Sequence, residues 1–371
     1  MKDNPLKKLE ALGQSIWLDY IKRDLITSGK LKELINKDGL AGITSNPSIF
    51  EKAIAESDDY DQDIQKMRNE SKEINAVYET LTQEDVRNAA DAFRPLYNQT
   101  DGQDGYVSLE VNPHLAHDTE GTLIEARRLW KALDRPNVLI KVPATLEGLP
   151  AIEQLISEGI NVNITLLFGL DRYKAVAEAY IAGLEARVAQ GKPLKHIASV
   201  ASFFLSRIDV LIDPHLEKII AQNNDKVLLA KKIHGQVAIA SAKIAYQIYK
   251  ELFESDRFKQ LTNKGAKVQR LLWASTSTKN PDYSKIKYVE ALIGPETVNT
   301  LPMETLNDYR EQGDPKPLLQ QEVNSAHWIF KQLTALDINI DKMTLQLEKE
   351  GVEKFNASFD QLIQSLKRKL A

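Results

Sequence analysis

Short apolar runs alternate along the chain with longer segments of helical period. Eight runs read as strands: SIWLDYI (15–21), GLAGITSN (39–46), GYVSLEV (105–111), NVLIKVP (137–143), INVNITLLF (160–168), HIASVASFF (196–204), KVQRLLWAS (267–275) and KYVEALIG (287–294). Most are rich in β-branched or aromatic residues and bounded by glycine, proline or polar clusters, as buried strands are. Helical patterns cover residues 6–14, 28–37, the long stretch 47–100, 118–133, a segment from Ala151 onward, 171–191, and 213–263 with a break near Asn223–Asp225. Asn46 before Pro47 and Asp118 before Thr119 are expected helix caps. The acidic run ESDDYDQD (56–63) reads as a solvated face or a helix start. From about 303 to 371 the chain is helical, with a polar break at 311–317.

Strands that alternate with helices form parallel βαβ units, and eight such units predict an α/β chain closed into a (β/α)8 TIM barrel. A doubly wound open sheet is the alternative. No Gly-rich linker divides the chain, so 1–371 is expected to be one domain. The 47–100 region and the segment from about 303 to 371 add extra helices, and those of the C-terminal segment pack on the outside of the barrel or across one of its mouths.

Composition narrows the chemistry. The 371 residues are 43% hydrophobic, enough for a large core, and the net charge of −4 argues against nucleic acid as a partner. The absence of cysteine excludes disulfides, thiolate nucleophiles and cysteine metal sites. No signal-like stretch opens the chain and no apolar run approaches the roughly 20 residues that span a bilayer. A soluble cytoplasmic protein without membrane association is the expectation.

The most informative run is NVLIKVP, where Lys141 stands among Val138, Leu139, Ile140 and Val142. Burial disfavours an ammonium, and a neutral lysine amine is a nucleophile toward carbonyls. A strand-end lysine that snorkels to solvent is the plainer reading. Barrel chemistry sits at the C-terminal ends of the strands. Reading polar residues off those ends adds Asp19, Thr44 to Asn46, Glu110, Asn112, Asn163, Thr165, Ser202, Arg207, Ser275 and Lys279. Each has a structural explanation of its own: Asn46 caps a helix, Asn163 and Thr165 satisfy each other, Arg207 pairs with Asp209 or Asp213. Their coincidence at matching strand ends favours an active site. His114 and His117, three apart, lack a third metal ligand, and a turn explains them better. No phosphate-loop, dinucleotide-binding, nucleophile-elbow or zinc-protease motif occurs.

The motifs ITSNPSIF (43–50), SLEVNPHLAHDTEGT (108–122), VLIKVPAT (138–145), GINVNITLLF (159–168), SVASFFLSRID (199–209) and LLWASTSTKNP (271–281) resemble, in order, those of transaldolases, in particular the longer bacterial type with an extended C-terminal region. The resemblance implies a transferase of the non-oxidative pentose phosphate pathway that needs no cofactor or metal. It would move a dihydroxyacetone unit from sedoheptulose 7-phosphate to glyceraldehyde 3-phosphate, giving erythrose 4-phosphate and fructose 6-phosphate. Lys141 then matches the Schiff-base lysine and Glu110 a carboxylate that shuttles protons through a water. Thr165 matches the hydroxyl that holds this water, and Asp19 the base for the C4 hydroxyl. Asn46, Asn163 and Ser202 match groups that bind the sugar, and Arg207 matches a phosphate-binding arginine. Ser275 matches the seventh-strand serine, which in many transaldolases is followed closely by arginine. Here the first cation after it is Lys279, the candidate for the second phosphate contact. Phosphorylated sugars are the expected partners, with a homodimer as the candidate assembly.

Two rival readings remain. Fructose-6-phosphate aldolases share the scaffold and the lysine but release dihydroxyacetone; they differ by glutamine at the position of Glu110 and tyrosine at that of Phe204. A non-catalytic phosphosugar-binding barrel would have lost Lys141, Asp19 or Glu110, and all three are present.

Overall fold

The computed structural model describes residues 4–222 and 225–370. Helix α1 (Pro5–Ala11) leads into β1 (Gln14–Asp19), and α2 (Arg23–Thr27) and α3 (Lys30–Asp38) into β2 (Leu40–Thr44). Three helices, α4 (Pro47–Ala55), α5 (Asp61–Asn69) and α6 (Ile74–Gln99), precede β3 (Tyr106–Glu110). The units α7 (Thr119–Leu133) with β4 (Val138–Pro143), α8 (Gly148–Glu158) with β5 (Val162–Leu167), and α9 (Leu170–Ala189) with β6 (Ser199–Phe204) are regular. Then α10 (Ser206–Ala221), α11 (Val227–Ile233), α12 (Val237–Phe253) and α13 (Asp256–Thr262) lead to β7 (Arg270–Ala274), and α14 (Lys287–Glu290) to β8 (Thr297–Leu301). The chain continues through α15 (Met303–Gln312), α16 (Val323–Ala335) and α17 (Ile340–Leu370).

The eight strands pair in sequence order, all parallel, and β8 closes on β1. This is the expected (β/α)8 barrel rather than an open sheet. Both predicted caps form: Asn46 accepts from the Ile49 amide at 3.1 Å and Asp118 from the Gly121 amide at 2.9 Å. Asp61 and Asp63 do open α5, where acidic side chains meet the positive end of a helix. The core fills the barrel and the layer beneath the helices, with Trp17 and Trp273 fully buried. Gly42 faces Trp17 across β1 and β2, and a Cβ there would lie 2.6 Å from the indole. Among the described residues no helix is long and apolar enough to cross a membrane.

The structure corrects two sequence expectations. Residues 287–294 are not the eighth strand. Tyr288, Val289, Leu292 and Ile293 are buried because they recur at helical spacing in α14 and the turn after it. The strand is TVNTL, whose Thr297, Asn299 and Thr300 are buried polar side chains, so it shows no apolar run. Likewise, among the described residues of 213–263 there are four helices, the first of which begins at Ser206 instead of 213. Of the break expected at Asn223–Asp225, Asn223 and its neighbour Asn224 lie outside the described residues.

Helix α17 takes the second of the two courses open to the C-terminal segment. It crosses the C-terminal mouth of the barrel, packing on α4, α5, α6, α10 and the end of β5. Its buried face (Leu347, Gly351, Phe355, Phe359, Leu362, Leu366) recurs every three or four residues. Polar ties fix its length. Arg172 donates to both Glu348 oxygens at 2.9 and 3.2 Å, the Ser48 and Ser358 hydroxyls lie 2.7 Å apart, and Lys369 reaches Asp61 at 2.7 Å.

Gly42→Ala is expected to lower unfolding stability by about 1–3 kcal/mol, the usual cost of overpacking a well-filled core. Urea denaturation measures it; unchanged stability would mean that the Trp17 contact relaxes freely.

Candidate active site

At the mouth under α17 lies a cavity of about 470 Å³. Of the site residues expected from the sequence, all border it except Ser45, Glu110, Asn112 and Asn163. Register explains the grouping. Glu110 on β3 is opposite Lys141 on β4, and Lys141 is opposite Asn163 on β5. Asp19 on β1 is opposite Thr44 on β2. Parallel strands in a closed barrel send these side chains to one end.

Lys141 is 4% exposed, and its Nζ donates to the Ser45 carbonyl at 2.9 Å. It does not snorkel to the surface. Ser45 is itself held by its hydroxyl, which donates to the Ser108 carbonyl at 2.7 Å. The Thr44 hydroxyl donates to Asp19 Oδ1 at 2.7 Å and lies 2.7 Å from the Thr300 hydroxyl. Burial raises the Asp19 carboxyl above its ordinary value, against the pull of Lys141, the Thr44 hydrogen bond and Arg207.

Glu110 sits beside Lys141 but off the mouth cavity, at the wall of a second cavity of about 210 Å³ toward α6 and α7. Among the described residues neither of its carboxylate oxygens has a hydrogen-bond partner. Burial pushes it up to about 7; Lys141 opposes this and Asp19 adds to it. Asp19 and Glu110 thus sit beside one charged neighbour inside a desolvated barrel, where burial shifts the proton affinity of carboxyl groups.

Asn163 and Thr165 do not satisfy each other. Asn163 lies a layer deeper, donating to the Ser108 hydroxyl at 3.0 Å and accepting from Ser202 at 2.7 Å. Thr165 faces the cavity, and its buried hydroxyl has no partner among the described residues. The strand departs from regularity there: the β5–β6 register shifts between Ile164 and Leu167, and Leu166 takes φ +56°. Irregularities of this kind at barrel rims re-aim side chains. Ser275, at the end of β7, has φ +54°, and its hydroxyl lies 2.8 Å from that of Ser206.

Arg207 pairs with neither Asp209 nor Asp213. Asp209 is taken by Tyr288 and the Ala238 amide, and Asp213 by Tyr283 and the Gly235 amide. The guanidinium instead lies 5.4 Å from the Phe204 ring centroid, at the cavity wall. Lys279 donates to Ser277 at 2.7 Å and borders the same cavity. Asn46 both caps α4 and lines the mouth. Asn112 does not join the group; it caps the short turn Pro113–Leu115 and borders the second cavity. His114 pairs with Asp360 at 2.8 Å and His117 with Glu147 at 3.1 Å.

Sequence reasoning missed Lys52 of α4, Thr300 of β8, and Lys354, Phe355 and Ser358 of α17, all at the cavity. Thr300 was hidden by the misplaced eighth strand. The α17 residues carry no local signal, because only the fold brings residue 354 over strand ends that are distant in sequence.

Comparisons with known proteins agree with this geometry. Residues 16–366 match the family described as transaldolase/fructose-6-phosphate aldolase. The chain is 50% identical over 374 residues to a transaldolase of Trichodesmium erythraeum, covering 100% of this chain and 98% of that protein. It is 49% identical over 375 residues to transaldolase 2 of a Nostoc species, covering 100% and 98%. It is 46% identical over 360 residues to a transaldolase of Thiobacillus denitrificans, covering 97% and 99%.

The electrostatics of Glu110 set a stability signature. Its carboxyl is raised from 4.5 to about 7, so between those values the folded chain holds a proton that the unfolded chain has released. Stability should therefore fall as pH rises through that window. Glu110→Gln should gain about 2–4 kcal/mol over the native protein at pH 8, and much less near pH 5. Urea titrations at both pH values measure the difference; a gain independent of pH would show that Glu110 ionises normally.

Proposed function

The chain belongs to the transaldolase and fructose-6-phosphate aldolase family and is a transferase with transaldolase activity, and we propose that Lys141 carries the reaction as a covalent imine. The observation behind this is a lysine buried in the barrel between a buried carboxylate, Glu110, and a second carboxylate, Asp19, at the mouth. The phosphorylated sugars are sedoheptulose 7-phosphate or fructose 6-phosphate as donor, with glyceraldehyde 3-phosphate or erythrose 4-phosphate as acceptor.

The Lys141 amine attacks the C2 carbonyl of the ketose. Loss of water gives an iminium, which serves as an electron sink. Asp19 takes the proton of the C4 hydroxyl, the C3–C4 bond breaks, and its electrons move into the iminium to leave an enamine. The aldose departs, and the same steps in reverse join the three-carbon unit to the acceptor aldehyde. Glu110, poised near neutral pH, exchanges protons while the imine forms and is hydrolysed. Thr165 holds the water in that exchange, a role that suits a buried hydroxyl with no partner among the described residues. Asn46 and Ser202 bind sugar hydroxyls. Asn163 fits better as support for Ser202, whose hydroxyl it accepts at 2.7 Å. Arg207 binds the phosphate with a fork of donors, assisted by Lys279, and Ser275 borders the same end.

Transfer rather than release fits Phe204. Its ring packs on Phe168 at 5.1 Å and under Arg207, and it offers no hydroxyl to position a water against the enamine. All 371 residues act as one domain in this reading, with the segment from about 303 to 371 completing the mouth. A cytoplasmic location and a homodimer accompany it as expectations; light scattering checks the assembly.

Three outcomes test the assignment. Borohydride with fructose 6-phosphate should inactivate the enzyme and leave a reduced adduct that peptide mapping places on Lys141, and Lys141→Met should abolish both trapping and turnover. An adduct on Lys131, Lys174 or Lys279 instead would refute the mechanism. Asp19→Asn and Glu110→Gln should each depress turnover about 10²–10⁴-fold, the usual contribution of general acid–base catalysis; wild-type rates in both would remove them from the mechanism. Arg207→Ala should raise KM for phosphorylated sugars far more than for dihydroxyacetone, whereas equal effects would make it structural.

A further inference from the structure

Four cations from four different elements meet at the outer wall of the mouth cavity: Lys52 of α4, Arg207 of α10, Lys279 of the loop after β7 and Lys354 of α17. Among the described residues none of them has an ion-pair partner, although the surface elsewhere pairs many of its charges. Lys279 is lowered by desolvation and by the like charges of Lys354, Arg207 and Lys52. Four carboxylates come near. Asp19 and Glu350 act on Arg207, Glu304 acts on Lys279, and Glu51 borders the cavity, but among the described residues none of them forms an ion pair with the four cations. Packing like charges this way is unfavourable in the empty protein. A dianion bound among them reverses the sign.

The packing of α17 sets which cation joins Arg207. Gly351 brings the helix against the rim: a Cβ on it would lie 2.9 Å from Leu166 Cδ2 and 3.7 Å from Arg207 Nη1. A side chain there would press on the end of the Leu166 side chain, and glycine holds the position although inside a helix it costs about 1 kcal/mol relative to alanine. Lys354 is three residues further on, so it rises from the same face of the helix. Lys279, by contrast, is already engaged with Ser277.

We propose that Lys354 of the C-terminal helix is a phosphate-binding residue, the partner of Arg207 on the terminal phosphate of the sugar, and hence a determinant of specificity for phosphorylated substrates. This rests on the reading of Arg207 as the phosphate arginine. In this arrangement Arg207 supplies the planar fork and Lys354 a point charge from the covering helix, with Lys279 and Lys52 adding to the field. The C-terminal extension is then part of the substrate site, and not only a cover over it.

The test uses the full-length enzyme and inorganic phosphate as a probe. Lys354 is exposed, so Lys354→Ala should fold with an unchanged thermal transition. It should raise KM for fructose 6-phosphate and the inhibition constant of inorganic phosphate about tenfold each, in keeping with a charged hydrogen bond. Its kcat should move less than its KM, and KM for dihydroxyacetone less than twofold. Lys354→Arg should restore most of the loss, and Lys354→Glu should exceed it. Values for Lys354→Ala within twofold of wild type for both phosphate ligands would overturn the proposal. Arg207→Ala measured alongside separates the two failures. If it weakens phosphate while Lys354→Ala does not, only Lys354 is misassigned; if neither does, the phosphate end lies elsewhere and both readings fall.

Discussion

A lysine inside a closed barrel must be held by groups that travel with it, and the upper half of the molecule is arranged around that requirement. Lys141 has a carbonyl acceptor just past the end of β2, a carboxylate beside it in register on β3, and another at the end of β1. Removing ionic groups from water is unfavourable unless they are matched within the interior. The matching here is deliberately incomplete. Glu110 has no hydrogen-bond donor for either oxygen, and Thr165 no partner for its hydroxyl, among the described residues. Buried groups left in that state in a folded protein call for a reason. The proton exchange of imine chemistry, in which the same groups must gain and lose partners each turnover, provides one.

The barrel delivers this arrangement because strand ends are fixed by hydrogen-bond register while the loops beyond them are free to vary. The two backbone departures, at Leu166 and Ser275, stand at the ends of β5 and β7 and border the site. The first of them is coupled to α17, since Leu166 packs where Gly351 leaves room. The covering helix and the irregular strand end are therefore one packing unit. A change in either is expected to be felt at Thr165 and Arg207, which lie to either side.

Much of this was legible in the sequence because the physical signals are local. Asn46–Pro47 and Asp118 announced helix starts, and NVLIKVP announced a buried strand with one charge in it. The eighth strand was not legible, since TVNTL fills its share of the barrel interior with threonine and asparagine, and the adjacent apolar run belongs to a short helix. Residues that meet through distant chain segments were equally hidden. Nothing around Lys354 distinguishes it from any other lysine on an amphipathic helix until α17 is laid over the mouth. The partner of Arg207 was misread for a related reason. Asp209 and Asp213 are close in sequence, but on α10 they turn toward Tyr283, Tyr288 and the start of α12.

The charges of the site are also ordered in depth, and that order bears on how a substrate is held. Glu110 and Lys141 sit deep, Asp19 faces the cavity above them, and Arg207, Lys279, Lys52 and Lys354 form the outer wall. A sugar phosphate has the complementary asymmetry, with its carbonyl near one end and a dianion at the other. Entering phosphate first would bring the dianion toward buried carboxylates, which is unfavourable in a medium that screens poorly, and would leave the rim cations without an anion. Entering carbonyl first satisfies both ends, and it sets C2 beside Lys141 with the carbons to be cleaved nearer the mouth. On the proposed roles, the same polarity lets the aldose leave outward, phosphate leading toward the rim, while the three-carbon fragment stays attached beneath it. Retention of the fragment thus follows from where the charges are placed as well as from the covalent bond.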